Sequence, residues 1–147
     1  MAAASRDRPL GSSNFLVEFG TAKGTGFAEV VFAPFTIPSQ SPANVPGERG
    51  APDARFGALA ANHLLLRRGA TGELDLYAWW DQARRGRAPP RRIVRVKLLA
   101  ADHATVLMTW RFRNVKPVSL AYSPLNALEG GLLMETLVLS FDEVEIA

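Results

Sequence analysis

The sequence predicts a mainly β fold, a β-sandwich or squat barrel of about six or seven strands with one flanking α-helix at about residues 73–85. Three observations carry this expectation. Short segments alternate apolar and polar residues with the period of two that turns one face of a strand toward a core. One segment alone has the i, i+3, i+4, i+7 spacing of an amphipathic helix. Proline and glycine clusters punctuate the chain at short intervals, without the strand–helix–strand rhythm that builds parallel sheets.

Residues 1–13 are small, polar and charged, and predict a flexible N-terminal arm ahead of a single domain at 14–147. Phe15-Leu-Val-Glu-Phe19 places Phe15, Val17 and Phe19 on one face of a first strand. Glycines at 20, 24 and 26 mark a turn, and Phe27 to Ala33 reads as a second strand, so the two are expected to pair as a hairpin. Half of the ten prolines follow, at positions 34, 38, 42, 46 and 52. Proline fixes φ and removes a ladder donor, so 34–58 is expected to be a long Pro-rich loop, and loops of this length are usually functional or disordered. Within it Phe35, Ile37 and Phe56 are apolar without an evident core partner.

Asn62 to Arg68 predicts the third strand. In the helix, Leu76, Trp79, Trp80 and Ala83 form the apolar stripe. Glu73 and Asp75 in the first turn and Arg84 and Arg85 in the last suit the helix dipole, and Gly86 is placed to stop it. After Pro89-Pro90, Ile93 to Leu99 is a strand with Val94, Val96 and Leu98 inward. Val106 to Arg113 alternates most clearly of all. Asn114 to Glu129 is expected to be a connector bent at Pro117 and Pro124, before a last strand from about Leu132 to Phe141.

Composition narrows the function. The 147 residues are 48% apolar and 21% charged, which is ordinary globular usage for one domain. Cysteine is absent, which removes disulfides, thiolate metal sites and cysteine nucleophiles together. The N-terminus has no apolar signal core and no run reaches the ~20 residues of a membrane span, predicting a soluble chain made in the cytoplasm that does not insert in a membrane by itself. The two histidines, His63 and His103, lack metal-ligand spacing, and the glycine cluster lacks the G-K-[ST] ending of a phosphate loop. No cofactor, metal site or hydrolytic activity is expected.

Charge is unevenly spread. Between Arg67 and Arg95 lie eight arginines (67, 68, 84, 85, 87, 91, 92 and 95), whereas from Pro117 onward there is no Lys, Arg or His and five acids, the last three being Asp142, Glu143 and Glu145. Such a split suits contact between identical copies, with Arg84, Arg85 and Arg87 of one near Glu143 and Glu145 of the next. The alternative is a nucleic-acid or acidic-ligand binding module, in which the arginines act with Tyr77, Trp79 and Trp80. The helical stripe assigns the tryptophans to a core, which favours self-association.

Several segments in order resemble the phage tail-tube family of contractile tails and contractile injection systems. These are Leu64-Leu-Leu-Arg-Arg-Gly69, Leu74-Asp-Leu-Tyr-Ala-Trp-Trp80, Arg84-Arg-Gly86, Met108-Thr-Trp-Arg-Phe-Arg-Asn-Val-Lys-Pro117, Ser123-Pro-Leu-Asn-Ala127 and Met134-Glu-Thr-Leu-Val-Leu-Ser-Phe141. Asn14 to Phe19 and Gly26 to Val30 resemble the family's first hairpin. On this resemblance the signature residues are Arg67, Arg68, Gly69, Leu76, Tyr77, Trp80, Gly86, Trp110, Asn114, Pro117, Asn126 and Glu135. The resemblance implies hexameric rings stacked as a hollow tube, with sheath and baseplate proteins as partners, cargo in the lumen, and no catalytic residues. It also implies assembly in the cytoplasm into a phage-tail-like particle that acts at a target envelope. Members usually carry an acidic hairpin where this chain has residues 34–58, which leaves room for a tube-initiator or baseplate-adaptor role and makes that loop the expected contact to the next ring or the baseplate.

Overall fold

A computed structural model of the chain describes residues 8–19, 22–24, 26–37, 59–87 and 92–147. Their strands are β1 (Phe15–Phe19), β2 (Ala22–Gly24), β3 (Phe27–Phe32), β4 (His63–Gly69), β5 (Arg92–Leu99), β6 (Val106–Tyr122), β7 (Met134–Ser140) and β8 (Glu143–Ile146); the helix α1 (Asp75–Arg84) lies between β4 and β5. Neighbouring strands are antiparallel, in the order β2-β1-β5-β6-β7-β4-β3, with β8 beside β6. The path is open at β2 and β3. The expected mainly β architecture with one helix is therefore present, as an open sheet path and not a closed barrel.

The strand β6 joins the two halves. Its first part pairs β5 and β8, and its second part, from Lys116, pairs β7. Asn114 sits where one ladder hands over to the other, with φ of 55°. That left-handed conformation is costly for most side chains, and asparagine tolerates it better than most. Pro117 follows at a register shift against β7. A bulge is one of the few places where a missing N–H does no harm inside a sheet. The expected connector after Asn114 is thus strand as far as Tyr122; the proline that argued against a ladder occupies its irregularity.

The expected β1–β3 hairpin does not form. Phe15, Val17 and Phe19 instead face Leu98, Val96 and Val94 on β5, while β3 pairs β4. An apolar face of matched length overrides the short connection, because it buries three cross-strand pairs at once.

The core follows the alternation. Leu64 and Leu66, Val94 and Val96, and Leu137 and Leu139 are each at most 2% exposed. Leu76 and Trp79 carry α1 onto this core, whereas Trp80 and Ala83 are only half-buried, so the helical stripe is narrower than its spacing. Phe35 also differs from expectation. Its ring lies 6.2 Å from Phe112 and 5.8 Å from Phe141, both edge-on, which makes it a lid on the core. Asn62 holds the same stretch through hydrogen bonds with Thr36.

Candidate assembly interface

Three surfaces and one buried node account for most of the residues singled out in the sequence. The node is Arg68. It projects from β4 and is 5% exposed, opposite Glu135 of β7, which is 3% exposed. The Arg68 Nε donates to Glu135 Oε1 at 2.5 Å, and its two terminal nitrogens donate to the Asp75 carboxylate at 2.5 and 3.3 Å. One guanidinium thus fastens the start of α1 to two strands, with Phe27 beneath it at 5.5 Å. Burial alone weakens its charged form, yet the two carboxylates outweigh burial and hold the Arg68 pKa above its usual value. Burial likewise opposes ionisation of Asp75, and Arg68 more than offsets it, so that its pKa lies below the ordinary range. Tyr122 faces Glu135 from β6, and burial together with that carboxylate raises its phenol. Arg68 and Glu135 are therefore structural, while Arg67 points outward opposite Glu29 of β3. Gly69 ends β4 against Met134.

The first surface is the outer side of α1. Tyr77 and Trp80 lie 6.2 Å apart and Arg84 covers the Trp80 ring at 5.4 Å. Arg84 and Arg85 both reach Asp81, at 2.5 and 2.9 Å, so one acid serves two bases; the Arg84 hydrogen bond is the main reason the Asp81 pKa is lowered. Arg87 is exposed just beyond Gly86, whose φ of 69° ends the helix. Trp79 is closed off between the Phe19 edge and Arg92, whose guanidinium lies 4.5 Å from the ring centre. It offers no face for a base to stack on.

The second surface is the outer face of β1, β5, β6 and β8. Glu18, Arg95, Arg111 and Glu145 stand in one cross-strand row, two bases flanked by two acids. Lys97 pairs Glu18 at 2.6 Å and Arg113 pairs Glu145 at 3.2 Å. Glu143 sits opposite Arg113. The acidic C-terminal strand β8, unanticipated from the sequence, is thus partly neutralised by its own sheet. Trp110, on the inner side, packs against Phe32 with ring centres 4.9 Å apart and planes tilted by 37°.

The third surface was not anticipated. Between β6 and β7 the chain projects as a loop, residues 123–133, on which Leu125, Leu128 and Leu132 are 87%, 96% and 86% exposed. The loop is held at its base, where the Ser123 Oγ accepts from the Met134 amide at 2.8 Å. At its tip Asn126 Oδ1 accepts from the amides of Leu128 and Glu129, which explains this signature residue. The only signal in the sequence was three leucines in a stretch without strand periodicity. Ile37, among the expected contact residues, is exposed, and Phe56 lies outside the described residues. His63 and His103 stand on β4 and in the β5–β6 turn respectively, and no group of three or more metal-ligating side chains occurs among the described residues. No helix there is long and apolar enough to cross a membrane.

Comparison with known proteins places this arrangement. A chain of the PVC sheath–tube complex of an extracellular contractile injection system matches with a TM-score of 0.69 at 18% identity, over 97% of this chain and 93% of that one. A chain of the PVC sheath/tube terminator matches with a TM-score of 0.71 at 18% identity, over 97% and 99%. Hcp1 from Flavobacterium johnsoniae matches with a TM-score of 0.58 at 15% identity, over 91% and 94%. These likenesses establish a shared fold. No individual curated sequence matches the chain. The family model of the T4-like virus tail tube protein gp19 matches residues 11–145, nearly the whole sequence. The chain belongs to the T4-like virus tail tube protein family and is a structural tube subunit.

Proposed function

We propose that the subunit closes into hexameric rings, and that the rings stack into the inner tube of a contractile tail or injection machine, enclosed by its sheath and seated on its baseplate. The observation that carries this reading is the family match over residues 11–145. The exposed leucines of the 123–133 loop and the positively charged outer side of α1 support it, since both are surfaces that a second protein would cover. Arg84, Arg85 and Arg87 would face the β8 acids Glu143 and Glu145 of a neighbouring copy in a head-to-side contact. The segment 34–58 would reach the next ring or the baseplate, with Ile37 and the partly exposed Phe35 at its start offered to that contact.

Negative-stain microscopy of the purified full chain tests the proposal. Rings of six and short stacked tubes are expected. A protein that stays monomeric at high concentration, with its thermal unfolding intact, overturns it.

A further inference from the structure

Between β1, β5, the first part of β6 and β3 lies an open apolar groove. Phe15, Phe32, Val96, Leu98, Met108 and Trp110 line it, and it encloses about 590 Å³. That volume lies within the range of about 300–1,000 Å³ in which clefts take a compact apolar group. Its rim adds Leu10, and Val106 at the start of β6 is 47% exposed nearby. Glu29 is the one charged residue in the lining, and it faces Arg67 across the β3–β4 ladder.

The projecting loop has the complementary properties. Leu125, Leu128 and Leu132 are exposed so fully that they touch almost nothing of their own chain, so the loop does not fill its own groove. Its hydrogen-bonded base and tip fix its shape before any contact, which lowers the ordering cost of docking. Glu129 is its single charge. Projection and recess are both apolar and nearly uncharged, so joining them strands no ion away from water. Tyr122, the residue that leads into the loop, is also half exposed and extends this apolar surface toward the about 1,000 Å² or more that specific association buries.

Resting on the tube reading above, we infer that the 123–133 loop of one copy inserts its leucines into the β1–β3–β5–β6 groove of the next copy. The loop follows the last residue of β6, whereas Met108 and Trp110 of the groove lie in its first half. The contact therefore joins different patches of identical chains, a heterologous contact that propagates from copy to copy.

The absence of cysteine makes the test clean. Full-length L128C and M108C carrying different tags are mixed, assembled and oxidised; V106C at the groove's rim replaces M108C should the latter lower the melting temperature. A disulfide-linked dimer bearing both tags is expected, and a ladder of multimers when both cysteines share one chain. L128D should raise the concentration needed for assembly roughly tenfold or more, as the loss of one buried leucine implies, with unchanged melting of the free subunit. Assembled tubes that give no cross-link with either groove cysteine overturn the inference and leave the tube reading standing. An unsubstituted chain that never assembles fails the tube reading itself.

Discussion

Removing Arg68 leaves the Glu135 charge stranded beside the core, because both are at most 5% exposed. Arg68→Met is therefore expected to cost about 3–5 kcal/mol, whereas Glu135→Ala, which leaves Asp75 as a partner for Arg68, should cost less. The double change Arg68→Met with Glu135→Met removes both charges and should lie closer to the parent than either single change, a coupling that urea unfolding measures directly. The pH dependence follows from Asp75. Its folded pKa is depressed, so its contribution is fully present above the ordinary carboxylate pKa of 3.8 and fades as pH falls through the lower folded value. Asp75→Asn should flatten the acid limb of the stability curve in that window. Arg68 and Glu135 stood out in the sequence through the segments that resemble the tail-tube family, yet their pairing did not. They are 67 positions apart, and only the β4–β7 register sets them face to face.

Among the elements, β4, β5 and β7 were legible because each runs over seven or eight residues rich in aliphatic side chains, with at least two of them at alternate positions facing the core. The helix was legible through Leu76 and Trp79. Three features were not. β8 has four residues, two of them acidic, too short a run to show a period. The partner of β1 depends on which distant strand offers a matching apolar face, information that no local window contains. The length of β6 was hidden by Pro117 and by the bend at Asn114. That bend is testable. A β-branched residue at φ of 55° is strained, so Asn114→Val should destabilise by about 1–2 kcal/mol, lowering the melting temperature by roughly 2–8 °C. Asn114→Gly should stay near the parent, because glycine adopts this conformation freely. Equal losses for valine and glycine would mean that the asparagine side chain, and not the backbone, matters there.

For the whole molecule the charge split visible in the sequence survives folding only in part. Arg113 engages Glu145 and Asp81 engages two arginines, so part of each cluster is spent within the chain. What remains outward is the surplus on α1, where Arg84 and Arg85 are about half exposed and share one carboxylate, with Arg87 beyond them. Exposed pairs of this kind add little to the stability of a subunit. Their reach toward another copy is longer, extending over a Debye length of about 10 Å at 0.1 M salt. Reversing Arg84, Arg85 and Arg87 to Glu turns attraction for a neighbour's acids into repulsion, so assembly should weaken. The loss should be greatest at low salt and shrink as salt screens it. Asp81 would then face like charges, so the same reversal in an Asp81→Asn background separates helix strain from lost contact. Light scattering across a salt series reads assembly, and circular dichroism reads the helix. Assembly that is indifferent to the reversal at low salt would assign the ring contact to the apolar surfaces alone.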